Sequence, residues 1–269
     1  MMENTFQDDG LDLFAEDGPP ALPAGGEFLE RDGARVWFAS FGAGPAVLLL
    51  HGGMGNANNF GHQVPALIEA GYRVVVIDSR GHGRSSWDGG AFAYTQFAGD
   101  AFAILDRLGI DNVAVVGWSD GACTGLAMAK AAPERVAGVF FFACNVDPSG
   151  TLPFEFTDVI GNCLTRHQKD YAALSPHPER FDEMSSKLQV MQGSQPDYSA
   201  DDLRAIGVPV TVAQSERDEF IRVEHARYIA ETVPGARYVE MAGVSHFAPV
   251  QRPGLFNGVV LEFLDGLDD

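Results

Sequence analysis

Residues 113–128, which read VAVVGWSDGACTGLAM, decide the fold of this chain. An apolar run is followed by the pattern Gly-x-Ser-x-Gly around Ser119 and then by small residues typical of a helix. A serine at a sharp turn between a buried strand and a helix is held in a strained backbone conformation, and its hydroxyl projects beyond the edge of the sheet. The stretch therefore predicts that Ser119 is a nucleophile, whereas an ordinary strand–helix connection would leave Ser119 unexplained.

The helix after Ser119 is predicted to pack closely on the sheet. Gly121 and Gly125 lie one turn apart in it, so one side of the helix is thin. A glycine inside a helix costs about 1 kcal/mol relative to alanine. We expect a close approach of the helix to the sheet to compensate for this cost.

A nucleophilic serine needs a general base, and the base needs an acid to orient it. Two loops follow strand-like runs downstream of Ser119: Asp218 comes after residues 208–213, and His246 comes after residues 237–241. In the chain order expected for a serine on such a turn, the acid precedes the histidine. The spacing therefore predicts Asp218 as the acid and His246 as the base.

Other acidic residues compete for the role of Asp218. Glu216 and Glu219 flank it, and Asp147 follows another strand-like run at residues 139–142. Because the acid is expected on a loop at a strand end, Asp218 is favoured and Asp147 is kept as the second candidate.

The chain has seven histidines, and the sequence around most of them indicates no catalytic role. His225 lies in a helical stretch with Glu224 and Arg227, so we expect it on a solvent-exposed helix face. His51 is predicted to be a structural hydrogen-bonding residue in a turn rather than a catalytic residue.

A second buried strand is predicted at residues 46–50, which read AVLLL and end in His51-Gly52-Gly53-Met54-Gly55. Glycines in this loop allow the backbone to bend toward the serine. We expect the N–H of Gly53 or Met54 to join that of Asp120 in an oxyanion hole. Each such donor lowers the barrier by about 3–4 kcal/mol.

These motifs, together with DSRGHGRS at residues 78–85, follow one another over nearly the whole chain from residue 26 to the end. In this combination the chain resembles the α/β-hydrolase superfamily. The resemblance implies an α/β fold with a mainly parallel, eight-stranded type of sheet, helices on both faces and a small helical cap. In the family, the segment equivalent to residues 78–85 is a structural turn beside the active site, so it receives no catalytic role.

Length and composition agree with one α/β domain that carries an insertion. The chain has 269 residues, of which 46% are hydrophobic. Its formal net charge of −19 argues against nucleic acid or an anionic membrane as a partner, because both are polyanions. The N-terminus lacks the basic and apolar regions of a signal peptide, and no stretch is as long as a membrane span, so a cytoplasmic location is expected.

Cys123, Cys144 and Cys163 are an odd set of cysteines without the spacing of metal ligands. Cys123 and Cys144 fall in predicted core elements, so free buried thiols in a reducing cytoplasm are expected. The sequence contains no motif for a metal or a cofactor, and it leaves the oligomeric state open.

The pattern of runs divides the chain into three parts. Residues 1–25 are acidic and rich in glycine and proline, which is typical of a tail or of an arm that covers a sheet edge. Residues 26–146 and 196–269 are predicted to form the α/β core, and residues 147–195, where strand-like runs stop, to form the helical cap. Within the core we expect a hairpin at 27–41 and helices at 59–69, 95–108 and 120–132.

These observations predict a cofactor-independent serine hydrolase that acts on a small-molecule substrate, namely a carboxylic ester, a lactone or a related acyl compound. Apolar residues of the cap, together with Trp118, are expected to line its pocket. Two alternatives stay open: a hydrolase of C–C bonds in ring-cleavage products, which the same superfamily includes, and a binding protein with little turnover. An intact triad argues against the binding protein, because a binder has no use for a strained serine.

The side chain of Asp120 has two interpretations. The pentapeptide GWSDG is similar to that of amino-acid ester hydrolases of the valacyclovir-cleaving type, in which the acidic residue after the nucleophile faces the ammonium group of the substrate. A carboxylate about 6–7 Å from a developing oxyanion costs about 2–3 kcal/mol at an effective dielectric constant near 20, and a substrate cation between them would offset this cost. Alternatively, Asp120 turns away to cap its own helix or to pair with an arginine.

Overall fold

This computed structural model describes residues 9–267 of the chain. These residues contain one sheet of eight strands. The strands are β1 (Glu27–Arg31), β2 (Ala34–Phe41), β3 (Ala46–Leu50), β4 (Arg73–Ile77), β5 (Val113–Trp118), β6 (Val136–Phe142), β7 (Val210–Arg217) and β8 (Arg237–Ser245). Their order across the sheet is β1-β2-β4-β3-β5-β6-β7-β8. The hairpin β1–β2 and the pair β2–β4 are antiparallel, and all other neighbouring pairs are parallel.

Both faces of the sheet are buried in hydrophobic clusters. Successive side chains of a strand point to opposite faces, so alternate residues join different clusters. On β3, Leu48 and Leu50 belong to one hydrophobic cluster, and Val47 and Leu49 belong to the other. The predicted fold class, a mainly parallel sheet with helices on both faces, is confirmed. The helices are α1 (Asp9–Glu16), α2 (Gln63–Glu69), α3 (Tyr94–Leu108), α4 (Asp120–Ala131), α5 (Asp158–Leu174), α6 (Phe181–Gln192), α7 (Ala200–Arg204), α8 (Val223–Thr232), α9 (Ala248–Gln251) and α10 (Pro253–Asp265).

Helix α4 lies close to the sheet, as predicted from its glycines. A Cβ atom placed on Gly125 would be 3.0 Å from a methyl group of Val115 on β5 and 3.2 Å from one of Val139 on β6. A larger residue at this position would therefore push α4 away from the two central strands. The close packing offsets the cost of a glycine in the helix interior.

The N-terminal segment differs from the expected tail or edge-covering arm. Residues 9–16 form α1, which packs onto α5 and α9. Leu11 and Phe14 are buried, and the ring of Phe14 meets that of His167 edge-on at 5.9 Å. The helix was not predicted because residues 1–25 are acidic overall and its apolar face consists of only two side chains, Leu11 and Phe14. Residues 1–8 of the predicted arm lie outside the described part of the chain.

The segment between β6 and β7 contains α5 and α6, within the range predicted as a cap. Tyr171 of α5 and Leu188 and Met191 of α6 join the same hydrophobic cluster as α3 and α4. These contacts anchor both helices to the core beside the carboxyl end of β5, and this arrangement creates the cavity described below.

Two expectations from composition concern the cysteines and membrane spans. Cys123, Cys144 and Cys163 are free and buried; burial was predicted for Cys123 and Cys144. Within residues 9–267, no helix has the length and apolar character that crossing a bilayer requires.

Candidate active site

The turn predicted around Ser119 connects β5 directly to α4. Ser119 has φ 54° and ψ −120°, a conformation that costs energy for any residue with a side chain. Both glycines of the pattern are required by space. A Cβ atom on Gly117 would be 2.4 Å from Cα of Ala122, and one on Gly121 would be 2.0 Å from the carbonyl oxygen of Leu50. The sequence Gly-x-Ser-x-Gly is therefore the one that this sharp turn allows.

The loop after β3 passes directly against the turn at Ser119. A Cβ atom on Gly52 would be 3.2 Å from Cβ of Ser119, and one on Gly53 would be 2.7 Å from Oδ2 of Asp120. Gly55 donates its N–H to the carbonyl of Gly52 at 3.1 Å, and Met54 within this turn has a positive φ of 61°. The backbone segments predicted to form an oxyanion hole thus lie side by side.

Asp218 and His246 form a buried hydrogen-bonded pair. Nδ1 of His246 lies 3.1 Å from Oδ1 and 3.0 Å from Oδ2 of Asp218, and Oδ1 also accepts the N–H groups of Phe220 and Ile221, each at 2.9 Å. Since a carboxylate only accepts, the neutral imidazole carries its proton on Nδ1 and leaves Nε2 as an acceptor. This tautomer is the one a general base needs.

The other acidic candidates have different partners. Oδ1 of Asp147 accepts the N–H and the hydroxyl of Ser149. Glu216 and Glu219, which flank Asp218, accept the backbone N–H groups of Gly243 at 2.6 Å and His246 at 2.9 Å. Of the four carboxylates, the one that reaches the imidazole of His246 is that of Asp218.

The alternative interpretation of Asp120, as a cap of its own helix or a partner of an arginine, is not supported. Its buried carboxylate accepts hydrogen bonds from the hydroxyl of Tyr94 at 2.7 Å and from Nε2 of Gln192 at 3.0 Å. Among the described contacts it neither caps α4 nor pairs with an arginine. Burial raises its pKa, although both hydrogen bonds and the nearby His246 favour the charged form. Sequence reasoning missed Tyr94 and Gln192, because they come from α3 and α6 and no local motif marks them.

Two histidines test the predictions for residues outside the triad. His51 is a structural residue, as predicted: Nδ1 donates to the carbonyl of Gly52 at 2.7 Å and Nε2 accepts the N–H of Ser79 at 3.0 Å. The prediction for His225 was wrong. It is buried and its Nε2 accepts the N–H of Val146 at 3.1 Å, because the segment that follows β6 folds over this face of α8.

The segment at residues 78–85 is a hydrogen-bonded turn, as the resemblance implied. Asp78 accepts the backbone N–H groups of Ala57 and Arg84, each at 2.7 Å, and it also pairs with the guanidinium of Arg84 at 2.9 Å. Arg80 is buried and binds both oxygens of Asp100. These contacts fix the loops that follow β3 and β4.

A cavity of about 350 Å³ joins the predicted site residues. Ser119, Asp120, His246, Trp118 and the loop at 52–55 all line it. Trp118 is buried, and its ring lies 6.2 Å from that of His246. Much of the remaining wall is apolar and comes from Leu152, Phe154, Phe156, Ile160, Leu164 and Phe220. None of the described residues that line the cavity is a lysine or an arginine.

Three buried histidines lie close together beside the cavity. The rings of His51 and His82 are 5.3 Å apart, and His167 interacts electrostatically with both. Burial lowers the pKa values of His51 and His167 to about 4 and that of His82 to about 3. All three are therefore neutral at pH 7.

The variant His167→Gln is expected to be less sensitive to acid than the wild type. A buried histidine binds its proton less readily than it does in the unfolded chain, so stability falls as the pH drops below 6.5 and levels off near the folded pKa of about 4. Each such group contributes a slope of about 1.4 kcal/mol per pH unit in this window. Urea unfolding at pH 7, 6 and 5 should show a smaller slope in His167→Gln, and the exposed His177→Gln serves as the control. Equal slopes in wild type and His167→Gln would contradict the neutral buried state.

Comparisons with known proteins agree with the fold. A family model described as alpha/beta hydrolase fold matches residues 45–179. A non-heme haloperoxidase of Rhodococcus erythropolis is 27% identical in an alignment that covers 87% of this chain and 97% of that protein. The structure of Est816, an N-acyl homoserine lactone degrading enzyme, has a TM-score of 0.68 at 25% identity and covers 88% of this chain and 100% of its own. The enol-lactonase of Burkholderia xenovorans LB400 has a TM-score of 0.73 at 21% identity over 89% of this chain and 100% of its own, which shows a shared fold.

Proposed function

Because this chain belongs to the alpha/beta hydrolase fold family, we propose that it is a cofactor-independent serine hydrolase that cleaves a small carboxylic ester, lactone or related acyl substrate. The observation that carries the proposal is the buried pair Asp218–His246 at the wall of the cavity that Ser119 also lines. The likeness to Est816, an enzyme that degrades lactones, supports an acyl substrate.

In the proposed reaction, Oγ of Ser119 attacks the carbonyl carbon of the substrate while Nε2 of His246 accepts the hydroxyl proton. Asp218 holds the imidazole in the required tautomer and stabilises its cation. The N–H of Asp120 and that of Gly53 or Met54 bind the oxyanion. His246 then protonates the leaving group, and a water molecule that His246 deprotonates releases the acid from Ser119.

The charge of the cavity disfavours substrates that carry a carboxylate. Asp120 supplies a carboxyl group, and no lysine or arginine lies among the described lining residues. His167, the other histidine in the wall, is neutral at pH 7 because burial lowers its pKa to about 4. A carboxylate on the substrate would therefore find no lysine or arginine to pair with in the described wall and would lose its hydration. This argues for an ester or lactone over a ring-cleavage product that carries a carboxylate.

Residues 147–195 are proposed to act as a cap over the site. Phe154, Phe156 and Gln192 of this segment line the cavity, and Gln192 bonds Asp120 beside the nucleophile. The aromatic rings of Phe154 and Phe156 are largely exposed, at 67% and 66%, and so they lie at the solvent-facing part of the cavity wall. An apolar entrance suits a partly apolar substrate.

The proposed function is tested by comparing turnover of short-chain p-nitrophenyl esters with turnover of a dienol-diketone ring-cleavage substrate. We expect hydrolysis of the esters with the higher kcat/KM and no turnover by Ser119→Ala. A preference for the ring-cleavage substrate would favour the C–C hydrolase. Ligand binding in the cavity without Ser119-dependent turnover would favour the binding protein.

The proposed role of Asp120 toward a substrate cation predicts an advantage for amino esters. At an effective dielectric constant near 20, a carboxylate within about 6 Å of an ammonium group is worth a tenfold effect or more. We therefore expect kcat/KM for an α-amino ester to exceed that for its des-amino isostere by about tenfold in the wild type. The variant Asp120→Asn, which keeps an acceptor for Tyr94, should lose this advantage. Asp120 does not bind a substrate cation if the amino group does not raise kcat/KM in the wild type, or if Asp120→Asn keeps the higher kcat/KM for the amino ester.

A further inference from the structure

Two glutamates on either side of Asp218 bind the backbone at the end of β8 and at His246, which follows it. Oε2 of Glu216 accepts the N–H of Gly243 at 2.6 Å, and Oε2 of Glu219 accepts the N–H of His246 at 2.9 Å. The short segment after β7 therefore contacts His246 in several ways. Asp218 binds its imidazole, Glu219 binds its backbone, and the ring of Phe220 packs against the imidazole with a centroid distance of 4.7 Å.

The two glutamates differ in their surroundings. Glu216 is exposed, whereas Glu219 is half-buried beside the imidazole, and burial raises the pKa of Glu219. Burial alone would lower the pKa of His246, but the charges of Asp218, Glu219 and Asp120 raise it above its ordinary value. The other groups that face Glu219 are Asp218 and the thiol of Cys163 on α5.

We propose that Glu219 is a positioning residue for His246: its carboxylate fixes the backbone of the base and adds a second negative charge that stabilises the imidazolium formed during the reaction. This inference rests on the proposed function. The proton that leaves Ser119 moves to Nε2, so the cation forms next to both carboxylates. The same charge also favours protonation of the free enzyme, which moves the acidic limb of the pH–rate profile to higher pH.

The variant Glu219→Gln separates the charge from the hydrogen bond, because its amide oxygen still accepts the N–H of His246. We expect the acidic limb of kcat/KM to move down by about 0.5 to 1 pH unit and the plateau to fall by about three- to tenfold. Glu216→Gln is the matched control, since Glu216 also binds a backbone N–H near His246, that of Gly243 on β8, and the acidic limb of this variant should coincide with that of the wild type. Glu219→Ala, which lacks both features, should show the same shift and a lower plateau. An unchanged limb in Glu219→Gln, or an equal shift in Glu216→Gln, would overturn the proposal.

A second measurement tests the coupling between Glu219 and His246 independently of the proposed function. NMR titration of the His246 imidazole reports its protonation without any turnover. The midpoint in Glu219→Gln should lie below that of the wild type by the same 0.5 to 1 unit or so, and the midpoint in Glu216→Gln should not move. If Ser119→Ala leaves turnover intact, the proposed function fails, and the NMR shift still decides the coupling between Glu219 and His246. Equal midpoints in Glu219→Gln and the wild type would refute that coupling.

Discussion

Replacing Ser119 with alanine is expected to lower kcat by about 10⁶-fold and to abolish covalent labelling by an organophosphonate. The oxygen of Ser119 is the atom that the turn between β5 and α4 holds at the cavity, in a backbone conformation of φ 54° and ψ −120°. Intact-protein mass spectrometry should show one adduct on the wild type and none on Ser119→Ala. Single-turnover kinetics measure the loss in rate.

Ser185 offers a matched control for this experiment. It also lines the cavity, but it lies on α6, and its hydroxyl contacts the sulfur of Met54 at 3.8 Å. Ser185→Ala should keep both the adduct and nearly all of the activity, because no base is hydrogen-bonded to this hydroxyl among the described contacts. Labelling that persists in Ser119→Ala and maps to Ser185 would mean that the nucleophile has been misassigned.

Local pattern was sufficient to predict the sheet and the strand ends at which Ser119, Asp218 and His246 lie. Ser119, Asp218 and His246 each follow a strand-like run, and the carboxyl ends of parallel strands meet at one edge of a sheet. The glycines at 117 and 121 mark the turn because nothing larger fits there. Such features depend on a few neighbouring residues, so they are visible in a sequence.

The contacts of Asp120 could not be predicted in the same way. Its partners Tyr94 and Gln192 are 26 and 72 residues away along the chain, on α3 and α6. Which polar side chain meets Asp120 depends on how these helices pack, and a pattern of apolar residues does not fix that. The burial of His225 was missed for a related reason, because the segment that covers it belongs to the loop after β6.

The contacts of Tyr94, Gln192 and Glu219 share one feature that bears on function. Tyr94, Gln192 and Glu219 each bond a residue that stands at or beside the predicted chemistry, namely Asp120 or His246. A triad supplies the reaction type, and the groups that surround it set the charge and the shape of the cavity. Substrate choice therefore depends on residues that the sequence motifs do not include.

Asp218→Asn is expected to lower kcat by about 10⁴-fold while leaving the fold intact. Oδ1 of Asp218 accepts the N–H groups of Phe220 and Ile221, so the amide oxygen of the variant would take this position. The amide NH₂ would then face Nδ1 of His246 in place of Oδ2. Because NH₂ is a donor, Nδ1 of the imidazole would become the unprotonated nitrogen and Nε2 would carry the proton. A protonated Nε2 could not accept the proton of Ser119.

Asp147→Asn is the control for Asp218→Asn, since Asp147 is the second candidate for the acid. Its carboxylate accepts the N–H of Ser149, which an amide oxygen can also do, so kcat should change by less than about threefold. Thermal unfolding of both variants checks that the fold is kept. The reverse ranking, with a large loss in Asp147→Asn and a small one in Asp218→Asn, would move the acid to the loop after β6. In that case the 3.0 Å contact between Asp218 and His246 would be a structural ion pair rather than part of the reaction.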